Sequence, residues 1–257
     1  VQDAVGDSAV QKDGGILHKY HGRALLITTG ACAIHCRYCF RRHYPYNEHT
    51  ASRGQFQMAL SQIAQDTSLT EIILSGGDPL SLSDNKLIAL IQALDNIPHL
   101  TRLRIHTRTP VVDPVRITDA LCAALTTGRL RKTLVLHVNH TQELADDALA
   151  ALTKLRATGA QLLNQAVLLR GVNDNVPALQ QLSESLFAAG ILPYYLHLLD
   201  RVQGAAHFEV PQDEAQQLMR QLHALLPGYL VPKLVREVAG EAGKTLINYE
   251  LRIKNYE

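Results

Sequence analysis

The sequence predicts an α/β fold of six strand–helix units, from three observations: recurrent short apolar runs, helical periodicity between them, and polar residues at the ends of the runs. The runs are ALLITTG (24–30), EIILSGG (71–77), LRIHTR (103–108), TLVLHVN (133–139), QLLNQAVLL (161–169) and LPYYLHLL (192–199). Continuous Leu, Ile and Val are the mark of strands covered on both faces of a parallel sheet. From the second run onward they begin roughly thirty residues apart, about one βα unit. Between them NKLIALIQALDNI, ITDALCAALTTG and DDALAALTKLRATG place apolar residues at i, i+3, i+4 and i+7, the stripe of an amphipathic helix. Six units make an incomplete barrel, and a doubly wound open sheet would show the same periodicity.

The 257 residues suffice for one barrel-sized domain. Apolar residues make up 46% and charged residues 19%, a globular balance, and a net charge of +1 favours neither nucleic acid nor membrane. No apolar run reaches membrane-spanning length and no secretory signal opens the chain. No initiator Met stands first, so a preceding N-terminal region is expected. The first eighteen residues, VQDAVGDSAVQKDGGILH, read as a polar lead-in.

Cys32, Cys36 and Cys39 follow the first strand in CAIHCRYC, spaced C-x3-C-x2-C. Three thiolates in so short a span make a soft-metal site, one ligand short of the four that close an iron–sulfur cluster. A 4Fe–4S cluster held by three cysteines leaves one iron open to a bound molecule. A structural zinc with His35 or His43 as fourth ligand is the competing reading, disfavoured because no second ligand pair follows downstream. A disulfide fits poorly with an odd, closely spaced set, which points to a reducing compartment. The fourth cysteine, Cys122, sits in ALCAAL, where a thiol is a small hydrophobe.

Chemistry in barrels sits where strands end. Here Cys32, Asp78, Arg108, His137, Asn139, His197 and Asp200 stand at strand ends, with Asn164 and Gln165 inside the fifth strand. Each alone reads as a cap or turn residue; together they read as one mouth. SGGDPL (75–80) pairs glycines that let backbone approach a ligand. Near the end, REVAGEAGKTLINY (236–249) contains GKT, but a phosphate loop would need glycine at Val238. Lys244 is then a solvated lysine or a Schiff-base lysine for pyridoxal phosphate (PLP).

The cysteine spacing, with an aromatic before the last cysteine, resembles the radical S-adenosylmethionine (SAM) enzymes. The ordered set CAIHCRYCFRRHYPY, SGGDPL, RLRIHTRTPVV, LVLHVNH, LNQAVLLRGVND, PYYLHLLDRVQGAAHF and GKTLINYEL resembles the lysine 2,3-aminomutase family. The likeness is closer to its smaller members, the elongation factor P β-lysylation proteins. The resemblance implies a partial (βα)6 radical SAM barrel over 19–211. A C-terminal helix and PLP-lysine segment of the same domain would occupy 212–257. It implies a 4Fe–4S cluster on Cys32, Cys36 and Cys39, and SAM contacts at Gly76, Gly77, Asp78, His137 and Gln165. PLP would be bound by Lys244 as Schiff-base lysine, with Lys19, Tyr20 and Arg23 on its phosphate. Arg41 would take the carboxylate of free L-lysine, and Asp200 and Glu237 its ε-ammonium. It further implies isomerisation of L-lysine to (R)-β-lysine, a functional link to elongation factor P and its lysyl ligase, an external electron donor, no direct nucleic-acid or membrane partner, and a cytoplasmic location.

Two departures stand out. The family's PLP lysine follows a run of four glycines, whereas GEAGK keeps only Gly240 and Gly243. Glu237 stands where the mutases carry aspartate. The chain ends at Glu257 without the cysteine-bearing extension of the larger mutases, as the resemblance to the smaller members implies.

Overall fold

Strand order decides between the two architectures the periodicity allows. In the computed structural model, which describes residues 1, 3–7, 10–46, 56–241 and 243–250, the ten strands of the sheet lie side by side strictly in chain order. A doubly wound sheet reverses direction at a switch point; this one never does. Each unit is laid down beside its predecessor, as in a barrel that does not close.

The parallel body comprises β3 (Arg23–Thr29), β4 (Glu71–Gly76), β5 (Arg102–Thr107), β6 (Arg131–Leu136), β7 (Gln161–Val167) and β8 (Leu192–His197), the six predicted strands. A seventh, β9 (Lys233–Arg236), pairs parallel with β8, Leu196 opposite Leu234. Sequence reading missed it because four residues behind Pro232 are too few to show a pattern. Antiparallel pieces extend both ends. β1 (Gln11–Lys12) and β2 (Ile16–Tyr20) precede β3, and β10 (Thr245–Leu246) folds back on β9. The predicted polar lead-in therefore supplies paired strand and buried residues, among them Val5, Asp7, Ile16 and Leu17. Residues 2, 8 and 9 of it, and 251–257 of the C-terminal segment, lie outside the described residues.

Helices α1 (Phe56–Gln65), α2 (Asp84–Asp95), α3 (Thr109–Val112), α4 (Asp119–Thr126), α5 (Asp146–Ala157), α6 (Val176–Ala188) and α7 (Gln212–Leu225) connect the strands. Their apolar stripes, such as Leu87, Leu90, Ile91 and Leu94 on α2, join the strand interiors in one hydrophobic core. Thr118 and Asn175 cap α4 and α6 by accepting from Leu121 N and Ala178 N. Side chains join the sheet's two ends: the Tyr20 hydroxyl on β2 donates to Glu237 Oε1, just past β9, at 2.5 Å. That contact, between residues 217 apart in sequence, sets the side wall of the site.

Candidate active site

The cysteine loop is fixed at its stem by the neighbouring strand end. Gly77 N donates to Thr29 O (2.7 Å) and Asp78 N to Ala31 O (2.8 Å), so the chain leaving β3 is bonded to the chain leaving β4. The approach requires glycine: a Cβ on Gly77 would stand 2.3 Å from the Ala31 carbonyl oxygen. Gly76 takes φ +117°, and its carbonyl accepts from the Tyr46 hydroxyl at 2.9 Å. Cys32, Cys36 and Cys39 are free, part-buried thiols on this loop.

Arg108, at the end of β5, reaches the middle cysteine: its Nη1 donates to Cys36 Sγ at 3.4 Å. The same guanidinium engages the Tyr38 hydroxyl and pairs with Glu143 Oε2 at 2.5 Å. Glu143 also accepts from Asn139 N and His140 N, and Asn139 bonds Tyr38 and Val167 N. The network ties Cys36 to the ends of β5, β6 and β7. Burial would lower the Arg108 pKa, but Tyr38 and Glu143 outweigh it and keep the cation firmly charged.

Asp78 is buried and its carboxylate is filled. Oδ1 accepts from Leu80 N (3.0 Å) and Thr107 Oγ1 (2.7 Å), Oδ2 from Arg108 N (2.7 Å) and Thr109 N (3.0 Å). The side chain latches the loop after β4 to the loop after β5 and leaves no oxygen facing a ligand.

The β9–β10 hairpin builds the opposite wall. With Thr245 paired to Arg236, Lys244 is returned beside Glu237, and its Nζ donates to Glu237 Oε2 at 2.5 Å. Lys244 Nζ also lies 5.9 Å from the centre of the Tyr195 ring. Lys19 Nζ is 3.9 Å from Glu237 and 2.7 Å from Asp7, while the Arg23 guanidinium stacks over the Tyr20 ring at 4.6 Å. Burial would raise the Glu237 pKa, but Lys244 and Tyr20 hold it below the usual range. Asp200 differs. Among the described residues nothing bonds its carboxylate, and burial, with Glu237 nearby, pushes its pKa up to about 6. Arg41 is buried, with Nε on Asp7 Oδ2 (2.7 Å) and Nη1 on Ser75 Oγ (3.1 Å).

Three imidazoles line the interior. Burial pushes His137 down to about 3, helped by Arg108, Lys244 and Arg41, so it is neutral and accepts from Gln165 Nε2 at 3.1 Å. His106 and His197 are likewise held well below the usual histidine range by burial. Among the described residues their Nε2 atoms are buried without a partner, polar atoms that a ligand would satisfy. Among the described residues no three His, Cys, Asp or Glu side chains meet at one point, as the ligands of a single zinc do. Cysteines that each bind a different iron of a cluster need not converge.

The chain matches the model of the Radical SAM superfamily over residues 26–179. It is 53% identical over 238 residues to "L-lysine 2,3-aminomutase" of Escherichia coli (strain K12), covering 93% of this chain and 70% of that protein. It is 54% identical over 231 residues to the protein of the same name from Haemophilus influenzae, covering 90% of this chain and 68% of that one. The chain belongs to the radical SAM superfamily, within its lysine 2,3-aminomutase family. The Streptococcus suis SuiB structure bound to S-adenosylmethionine aligns with TM-score 0.62 at 14% identity. It covers 90% of this chain and about half (54%) of SuiB, and shows the fold alone.

Radical SAM membership implies a 4Fe–4S cluster and SAM, and the donor set fits both: three soft ligands on a rigid stem, glycine backbone beside them, and unpartnered imidazole nitrogens further in. The predicted residues fall into two groups. Cys32, Cys36, Cys39, Gly76, Gly77, His137 and Gln165 ring the strand ends; Lys19, Tyr20, Arg23, Asp200, Glu237 and Lys244 stand around the gap between the sheet's ends. Arg41 lies between the groups, bonded to Ser75 at the strand ends and to Asp7, the partner it shares with Lys19. Sequence reading missed Asp7, Glu143 and His106, and had Tyr38 only as the aromatic before Cys39. The first sits in an unpatterned lead-in, and the rest gain their place in the site from partners 31 or more residues distant. Among the described residues no helix is long and apolar enough to cross a membrane.

Proposed function

We propose that this chain isomerises free L-lysine to (R)-β-lysine by moving the amino group from C2 to C3, with a 4Fe–4S cluster, SAM and PLP as cofactors. The product would supply the ligase that modifies elongation factor P, and an external donor would reduce the cluster. The observation that carries the reading is Lys244, brought back by the β9–β10 hairpin to Glu237 beside Asp200, an acid without a partner among the described residues. When bound, SAM and the cluster supply a carbon radical able to abstract an unactivated hydrogen, and PLP supplies a π-system that holds the migrating nitrogen.

Lys244 provides the amine for PLP. Glu237 Oε2, at 2.5 Å, holds the Lys244 ammonium at the site, and its proton passes to solvent before the amine acts as a nucleophile. Lys19, Tyr20 and Arg23 offer two cations and a phenol to a phosphate. Once Lys244 is engaged elsewhere, Glu237 joins Asp200 in receiving an ε-ammonium, while Arg41 orients the carboxylate. Two acids in one pocket select a cationic chain end over a second carboxylate, because like charges would be buried together. This favours lysine over an acidic amino acid as substrate. The neutral His137, steadied by Gln165, offers SAM a hydrogen-bonding wall without charge.

Anaerobically reconstituted protein given SAM, PLP and isotopically labelled lysine is expected to yield labelled β-lysine. Lys244→Ala should lose the absorbance of protein-bound PLP and all turnover while keeping the cluster spectrum. An unchanged PLP absorbance would refute the assignment and favour a PLP-independent radical enzyme.

A further inference from the structure

The N-terminal segment 3–7 ends in a carboxylate that is 2% exposed. Asp7 Oδ2 accepts from Arg41 Nε at 2.7 Å, and Oδ1 lies 2.7 Å from Lys19 Nζ. The segment is firmly seated. Val5 is buried and its carbonyl accepts from Lys19 Nζ at 2.7 Å, and Asp7 N donates to Asp3 Oδ1 at 3.0 Å. Val1 O accepts from Gln203 N, and Gly6, at φ +69°, lies so close to the loop after β9 that a Cβ would stand 2.9 Å from that of Ala239. It thus runs from the loop carrying Asp200 to the loop carrying Glu237.

We infer that Asp7 is a positioning residue for substrate recognition: it holds Arg41 by the Nε edge, turns the Nη2 donors toward the substrate carboxylate, and ties Lys19 to the same anchor. The inference rests on the reading of Arg41 as the carboxylate clamp. A guanidinium is a planar fork with five donors, and its edges can serve different partners. Here Nε goes to Asp7 and Nη1 to Ser75, while among the described residues Nη2 makes no hydrogen bond. A buried cation without a counter-charge is strongly unfavourable. An arginine that meets its ligand only transiently therefore needs a permanent partner on another edge. Burial would raise the Asp7 pKa, but Arg41 and Lys19 outweigh it and keep the carboxyl ionised. The opposite arrangement, in which Asp7 stands in for the substrate carboxylate and is expelled by it, predicts effects of opposite sign.

The test uses the full chain carrying its cluster and PLP, without SAM so that no turnover occurs, with lysine titrated against the absorbance of bound PLP. Asp7→Asn keeps shape and removes charge; it should weaken lysine binding about tenfold or more with iron and PLP content unchanged, and Asp7→Glu should recover most of the affinity. Equal or tighter lysine binding in Asp7→Asn overturns the inference. Arg41→Gln should also weaken lysine binding, and adding Asp7→Asn to it should cost nothing further; an additional loss means that Asp7 does not act through Arg41. If Arg41→Gln binds lysine normally, the clamp reading itself fails. If it binds weakly while Asp7→Asn binds normally, only the present inference fails. Hydrogen exchange on the unsubstituted protein needs no variant to fold: amides 3–7 should be equally protected with and without lysine, and loss of protection on adding lysine overturns the fixed anchor.

Discussion

Replacing Asp78 separates a latch from a ligand contact. Its carboxylate accepts four hydrogen bonds, three from backbone N–H groups and one from Thr107 Oγ1, in a buried setting. Asp78→Asn keeps one oxygen but turns an NH2 group toward two donors. If the amide oxygen stays with Leu80 N and Thr107, then Arg108 N loses its acceptor, while Thr109 N keeps its second one, Thr107 Oγ1 at 3.1 Å. A bond to a charged acceptor is worth about 1.5–3 kcal/mol, and a stranded buried donor costs about 1–3 kcal/mol. One stranded donor, with the loss of a charged acceptor at the other, comes to about 2–4 kcal/mol, large for one substitution. For a chain of this size that lowers the melting temperature by on the order of 10 °C. Because Arg108 follows the released backbone, Cys36 loses its guanidinium donor and cluster content should fall as well. The assay is thermal unfolding of cluster-free protein by circular dichroism, with iron and sulfide measured after reconstitution. A variant that melts within a degree or two of the parent, takes up full iron and binds SAM poorly would refute the latch and assign Asp78 to SAM.

Asp200 carries a second prediction with a defined sign. Its pKa is raised from 3.8 to about 6, so ionisation at neutral pH is disfavoured by about 2–3 kcal/mol. This residue therefore favours the ligand-free fold below pH 4, and that contribution is lost as pH rises through 6. Asp200→Asn should raise the melting temperature at pH 7.5 but not below pH 4, while raising the lysine KM steeply; equal melting temperatures at pH 7.5 would count against the unpaired charge. Gly77→Ala should displace Ala31, whose carbonyl oxygen would face a Cβ at 2.3 Å, and cut iron content; full cluster loading would show that the stem tolerates the shift.

Much of the fold was legible because strands buried on both faces advertise themselves as continuous apolar runs, and their ends announced a mouth. What was illegible was short or distant. β9 has four residues and no pattern, yet it sets Glu237 and, through β10, Lys244. Asp7 reads as one more polar residue in a polar lead-in until Arg41 and Lys19 are seen around it. The motif shows Asp78 beside the paired glycines, but not its four donors: Leu80 in its own loop, and Thr107, Arg108 and Thr109 at the end of the next strand.

By itself the sequence determined the βα repetition, the cysteine triplet and the close glycine approach beside it, because each depends on residues near one another along the chain. Tertiary structure alone decided that the sheet is wound in one direction and left open, and that Tyr20 and Glu237 join its two ends. It also decided which charges meet: Asp7 with Arg41 and Lys19, Lys244 with Glu237, and Asp200 with no partner among the described residues. The physical reason is that burial and charge pairing set ionisation and orientation, and both are properties of neighbours that the chain brings together only by folding.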